Sequence, residues 1–235
     1  RMLTPKQIID KARPQLTGKK GVISVGYGKK RTAGQWTDTN CIVVYVEKKV
    51  PVSALSAEDV IPFQVEGAPT DVVEIKTVKA LIFHAVYPGR KRPCPGGYSI
   101  GSPLITAGTL GLPVVMKSGQ QALLSNTHVL APHWAGEVKI GDPIRQPGPI
   151  DGGQPGDTIA FLYSWSSIDF TGRSNLVDAA LATVRDGVVD WRIEAIPAIY
   201  EKAGEPQPDR DVLKVGRTTG LTHGKIAVVG AAVRV

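Results

Sequence analysis

Short apolar runs, broken by polar and Gly/Pro-rich stretches, recur along this chain. Thr4-Pro5 reads as a helix start, a capping side chain followed by proline at the first helical position. Ile8, Ile9 and Ala12 then fall on one side, which predicts a short helix over Pro5–Arg13. Gly21–Tyr27 and Cys41–Val46 read as strands, the second mostly buried because its apolar run is nearly unbroken. Asp71–Ile75 is a further strand, and Val60–Val65 is a lesser candidate because Pro62 interrupts it. One helix with three or four strands makes a small α+β module over residues 1–80.

The pattern then changes. Tyr87–Gly97 carries too many prolines and glycines for helix or central strand, so residues 81–96 read as a linker. Beyond it come brief apolar runs at Pro103–Thr106, Leu112–Met116, Ala122–Ser125, Thr158–Tyr163, Ala179–Val184, Val212–Val215 and Lys225–Val235. Turn residues separate them, a spacing that predicts a β-barrel or sandwich. Asp142–Asp157, rich in Gly and Pro, reads as a long surface loop.

Composition narrows the picture. A chain of 235 residues is long enough for one or two domains with a real core. The two cysteines, Cys41 and Cys94, allow one disulfide and exclude a disulfide framework. No apolar stretch approaches a membrane span, and the amino-terminal segment lacks the apolar core of a signal peptide, so a cytoplasmic location is expected. The formal charge of +7 concentrates at Lys19-Lys20, Lys29–Arg31 and Arg90–Arg92. No aromatic interleaving or nucleic-acid motif accompanies these clusters, and solvated loop charge outweighs a polyanion contact as their reading.

Three elements carry candidate chemistry. In Leu123–Ala131 an apolar strand runs into Ser-Asn-Thr and then His128. In Asn175–Ala182, Asp178 sits within an otherwise apolar run, where a carboxylate is costly unless something pairs with it. The third element is Lys214–Ile226, whose glycines bracket a polar hairpin at Gly216, Arg217, Thr218, Thr219 and Gly220. Singly, each has a plainer structural reading: a core histidine, a turn-capping aspartate, a tight turn.

Taken in this order, the three elements resemble the bacterial branch of the trypsin-like, chymotrypsin-fold serine peptidases. Pro95–Gly101, Thr106–Gly111, Gly141–Ile144 and Gln146–Pro149 are similar to other stretches of those domains, and Cys41–Lys49 with Ala68–Glu74 is similar to the leader module of some members. The resemblance implies a mostly β protein: the α+β module, the linker, a first barrel over 97–185 and the start of a second over 186–235. It implies His128 as general base and Asp178 as its orienting partner, with the Gly216–Gly220 run a structural motif of the second barrel. It also implies a protein or peptide substrate and neither cofactor nor metal. A serine hydroxyl is a poor nucleophile until a base takes its proton, histidine can do so near neutral pH, and the aspartate fixes the imidazole tautomer.

The chain departs from that family at one point. The nucleophile belongs in a Gly-Asp-Ser-Gly type loop some tens of residues after the Gly-Arg-Thr-Thr-Gly turn, but only fifteen residues follow Gly220 and no such segment occurs. The chain by itself is therefore expected to be inactive, its second barrel completed by a C-terminal fragment or another chain. A rival of a different class is a non-catalytic peptide-binding or regulatory module that uses the same groove by strand addition. Lesser rivals are an α/β-hydrolase order of Ser99, Asp178 and His223, which lacks the flanking strand and helix, and Cys94 as nucleophile with His128. A metal site from His84, His128, His133 and His223 lacks close spacing. Arg90–Arg92 is expected to mark an exposed, cleavable joint.

Overall fold

Thr4 and Pro5 start the first helix, α1 (Pro5–Leu16), through a reciprocal capping box. The Gln7 N–H donates to the Thr4 hydroxyl at 3.3 Å and the Thr4 N–H donates to Gln7 Oε1 at 2.9 Å, satisfying amino-terminal donors that the helix leaves unpaired. The helix runs three residues past Arg13, through Pro14. Pro14 forfeits one intrahelical hydrogen bond, and the burial of Leu16 beside Ile9 and Ala12 offsets that loss.

The structure, a computed structural model, describes residues 3–75, 85–196 and 204–233. His84 lies outside these residues, as does part of the segment read as a linker. Strand makes up 41% and helix 12% of the described residues, so the chain is mostly β; none of its sheets closes on itself. It divides into two units, one of Arg1–Leu81, Gly204–Val212 and Gly224–Val235, the other of Ile82–Ala203 and Leu213–His223.

In the first unit α1 accompanies a five-stranded sheet. Its strands are β1 (Val22–Thr32), β2 (Gln35–Val46), β3 (Gln64–Val65), β4 (Ala68–Glu74) and the terminal β16 (Val228–Val233), in the order β16-β1-β2-β4-β3. β1 and β2 are antiparallel, whereas β2 and β4 run parallel. Ile9, Ala12, Leu16, Val25, Ile42 and Val44 form the centre of the core. Cys41 and Val43, on the other face of β2, are buried too, as its unbroken apolar run predicts. Of the Val60–Val65 candidate only Gln64–Val65 is strand.

The β1–β2 turn places Ala33 at φ 49° and Gly34 at φ 81°, the left-handed pair of a tight hairpin. Gly34 adopts this freely and Ala33 does not. Ala33→Asn is expected to stabilise this unit by about 0.5–1 kcal/mol, read as a higher denaturant midpoint with an unchanged slope; an unchanged or lower midpoint would contradict it.

The sequence division gives Ile226–Val235 to the second barrel. In the structure β16 pairs instead with β1, Ser24 opposite Val233 and Tyr27 opposite Val229. An apolar strand needs a hydrogen-bonded neighbour, and two glycines let it come close: a Cβ on Gly28 would lie 2.2 Å from the Ala227 carbonyl oxygen, and one on Gly26 would lie 2.8 Å from the Val228 side chain.

The second unit is built on an antiparallel five-stranded sheet, in the order β10-β11-β12-β9-β8. These strands are β8 (Leu112–Val115), β9 (Gln121–Ser125), β10 (Pro143–Arg145), β11 (Thr158–Trp165) and β12 (Ala180–Val184). Two small pairs accompany it, β5 (Cys94–Gly96) with β13 (Val189–Ile193) and β6 (Ser99–Ile100) with β7 (Gly108–Thr109), while the pair β14 (Asp211–Gly216) and β15 (Gly220–Lys225) has its tip, Leu213–His223, in this unit. Ile100, Leu110, Leu123, Leu130, Ile144, Ile159 and Leu162 fill its core.

Three local expectations change here. Pro103–Thr106 is a turn, closed by the Ile105 N–H on the Ser102 carbonyl at 3.2 Å. The Asp142–Asp157 stretch is no simple surface loop, because it contains β10 and the fully buried Ile144 and Gln146. Gln146 Nε2 donates to the Gly89 carbonyl at 2.9 Å and its Oε1 accepts the Lys91 N–H at 3.1 Å. Arg92 reaches the Gln146 carbonyl at 2.8 Å, Arg90 Nε pairs with Asp157 at 3.0 Å, and Cys94–Gly96 is buried as strand. The Gly/Pro-rich segment is thus bound into the second unit over its described residues, with Arg90 and Lys91 exposed, as expected, and Arg92 only partly so.

Candidate active site

His128 stands at the end of an apolar strand because its neighbours are locked inward. β9 ends in Ser125, whose hydroxyl donates to the Thr109 carbonyl at 2.7 Å. A single helical turn, α2 (Thr127–Leu130), follows. Thr127, Val129 and Leu130 are buried, and the Thr127 hydroxyl lies between the carbonyls of Ser166 and Ala179, at 2.8 and 2.9 Å. Gly108 admits Val129 closely: a Cβ there would lie 2.3 Å from a Val129 methyl. Fixed on both sides, the turn projects His128 outward with its side chain 53% exposed.

Asp178 comes from the long connection between β11 and β12, closed at its base by the Ser166 N–H on the Ala179 carbonyl at 2.9 Å. Within it Asn175 clamps Asp169 in both directions, accepting its N–H at 2.7 Å and donating to its carbonyl at 2.8 Å. The apolar run around Asp178 is not a buried strand, since Leu176 and Val177 are exposed and β12 begins at Ala180. The carboxylate is nonetheless only 34% exposed and has the expected partner. His128 Nδ1 lies 2.6 Å from Asp178 Oδ2, and the His128 backbone N–H donates to Oδ1 at 3.3 Å. An ionised carboxylate only accepts, so Nδ1 carries the proton in this pair, and in the neutral imidazole Nε2 then keeps its lone pair. That arrangement can take a proton from a hydroxyl presented to Nε2.

The Gly216–Gly220 run forms the tip between β14 and β15, with its arginine turned inward. Arg217 Nε donates to Asp151 Oδ2 and Nη2 to Oδ1, both at 2.5 Å. The Arg217 N–H donates to the Thr109 hydroxyl at 3.0 Å, and its carbonyl accepts the Tyr87 N–H at 2.9 Å. Asp151 also accepts the Ser99 hydroxyl at 2.5 Å, and that hydroxyl accepts the Gly148 N–H at 3.0 Å. Burial alone would raise the Asp151 pKa, but the hydrogen bonds from Arg217 and Ser99, with the arginine charge, hold it below the usual carboxylate range. Asp151 was not visible as a partner in the sequence, since nothing in Pro149-Ile150-Asp151 marks which cation it meets across the fold.

The rival sites fare differently. Ser99 is fully buried and committed to Asp151 and Gly148, so its hydroxyl is occupied structurally. Both cysteines are free and buried; burial pushes Cys94 up to about 12 and Cys41 up to about 11. A thiol so rarely ionised is a poor nucleophile. Neither should be alkylated by iodoacetamide in the folded protein at pH 8, with both modified after denaturation; rapid native modification of Cys94, read by intact mass, would revive it as a nucleophile. His133 faces two carbonyls, Ala131 through Nδ1 at 3.3 Å and Ile168 through Nε2 at 3.2 Å. Among the described residues no three His, Cys, Asp or Glu side chains form a metal-binding group, and none of the helices is long and apolar enough to cross a membrane.

Sequence reasoning singled out His128 and Asp178 and passed over Asn126. Its amide donates to the Asp178 carbonyl at 3.0 Å and to Asp178 Oδ2 at 3.3 Å. The available signal was an asparagine two residues before the histidine, a residue type that both caps helices and donates twice. No protein-family model matches the chain, and neither does any curated protein.

Proposed function

We propose that this chain carries the base and orienter of a trypsin-like serine endopeptidase, with His128 as the general base and Asp178 as its orienting partner. The observation that carries the reading is the 2.6 Å contact between His128 Nδ1 and Asp178 Oδ2, made by a histidine side chain that is 53% exposed. The two residues lie fifty positions apart and in the chain order of the chymotrypsin triad. The finer fold follows the same proposal: the second unit's sheet is the counterpart of a first barrel, and β14 and β15 open the second. The reaction is acyl transfer. A serine from a segment outside this chain attacks the peptide carbonyl, His128 accepts its proton and later returns it to the leaving amine, and Asp178 stabilises the imidazolium. Protein or peptide is the substrate, and no cofactor takes part.

The second reading, a non-catalytic peptide-binding module, is favoured by one observation, the absence of any Gly-Asp-Ser-Gly segment in this chain. The deciding experiment treats the full product of the gene with a fluorophosphonate probe. Labelling of one serine downstream of Val235, abolished by His128→Ala, supports the peptidase. Absence of labelling, with tight binding of unstructured peptides that are never cleaved, supports the module.

A further inference from the structure

Asn126 occupies the position before α2, where an asparagine side chain ordinarily accepts a backbone N–H of the first helical turn. Here its side chain makes no such bond. The turn is held by the Asn126 main chain instead, whose carbonyl accepts the N–H groups of Val129 at 3.0 Å and Leu130 at 3.1 Å. The amide is turned away to Asp178, where Nδ2 meets the main-chain carbonyl at 3.0 Å and Oδ2 at 3.3 Å. One planar group therefore grips both ends of the aspartate, and Oδ2 is the oxygen that receives His128 Nδ1.

From this we infer that Asn126 is a positioning residue that fixes the Asp178 carboxylate against His128 Nδ1 and so holds the imidazole in the tautomer with Nε2 bare. The role rests on the reading of His128 and Asp178 as base and orienter. Asp178 stands in irregular backbone beside the exposed Leu176 and Val177, where no regular element fixes the torsion of its partly exposed carboxylate. The His128 N–H reaches the other oxygen at 3.3 Å, no shorter than the Asn126 contact with Oδ2, and what Asn126 adds is the 3.0 Å bond that ties the same amide to the Asp178 main chain. Two N–H groups on one amide, one on the backbone and one on the carboxylate, set the side-chain torsion of Asp178. Serine and aspartate cap helices as well as asparagine does, but neither presents two donors from one rigid plane.

The test separates the two jobs of the position. Asn126→Ser retains a good capping side chain, so the fold and denaturant midpoint should be kept or slightly improved. Long-range 1H–15N spectra of the imidazole nitrogens, recorded above the histidine titration, report the tautomer. The parent chain is expected to show one His128 tautomer, with the proton on Nδ1. Asn126→Ser is expected to show both tautomers, with the Nε2–H form gaining population, while the backbone amide spectrum away from the site stays unchanged. In the complete protein the same variant should lower kcat about tenfold with KM unchanged, the worth of roughly one hydrogen bond.

Asp178→Ala is the control that tells two failures apart. If Asn126→Ser leaves a pure Nδ1–H tautomer while Asp178→Ala loses it, the pair stands and the role of Asn126 is refuted. If neither variant changes the tautomer, Asp178 does not orient His128, and the positioning role falls together with the reading beneath it.

Discussion

Asp178→Asn in the complete protein is expected to lower kcat by about 10⁴, the cost of presenting the wrong tautomer in a serine-peptidase triad. The amide keeps the shape of the carboxylate, so the contact with His128 Nδ1 at 2.6 Å survives in outline. What changes is which partner donates. An asparagine whose N–H faces the ring makes Nδ1 the acceptor and places the imidazole proton on Nε2, where it blocks proton abstraction from the nucleophile. KM should move little, because the amide has the size and shape of the carboxylate, and His128→Ala should cost at least as much. Steady-state kinetics on a fluorogenic peptide measure both. A complete protein that retains nearly full kcat in Asp178→Asn would show that the pair is a structural contact and that the base lies elsewhere.

The largest effect on stability is expected at Asp151. Its side chain is 8% exposed and that of Arg217 is 20% exposed, so the pair is held largely out of water. Asp151→Ala strands the guanidinium without its two-pronged partner and leaves the Ser99 hydroxyl without its acceptor. Breaking a buried pair from one side costs about 3–5 kcal/mol, and the loss should appear as a lower denaturant midpoint for the second unit. Arg217→Lys keeps the charge but not the fork, and should recover only part of the loss relative to Arg217→Ala. The pH dependence has a definite sign. A carboxyl whose folded-state pKa lies below its unfolded value, about 3.9, contributes stability that is full above that value. The contribution fades as pH falls through about 4 and is gone below the folded-state pKa. An Asp151→Ala protein as stable as its parent at pH 7, with the same acid unfolding profile, would refute the assignment.

These expectations show how legible the chain is. The helix start at Thr4-Pro5, the burial of β2 and most strands of the second unit follow from local pattern, because capping and periodicity act over a few residues. His128 and Asp178 were visible as an odd histidine and an odd aspartate, and the structure brings them together. The premise for Asp178 was nevertheless incorrect. Its apolar neighbours Leu176 and Val177 face solvent, and no local rule distinguishes an apolar run that packs from one that does not. Partners across the fold were illegible for the same reason: Arg217 with Asp151, Gln146 with the Gly89–Arg92 segment, and β16 with β1 all depend on tertiary placement. Gln146 lay in a stretch whose Gly and Pro content resembles a free loop, yet full burial of its amide is possible because each polar atom finds a backbone or side-chain partner.

The pairing of β16 with β1 bears on the order in which the chain can fold. The second unit draws most of its sheet from a continuous stretch, so it can assemble while synthesis proceeds. The first unit cannot, because the edge of β1 meets its neighbour only when Val228–Val233 have left the ribosome. Until then β1 presents an unpaired strand edge with an apolar face behind it, the kind of surface that pairs with other chains. Contacts so distant in sequence form late and slowly, so β1, synthesised before the second unit's sheet, waits for a neighbour synthesised after it.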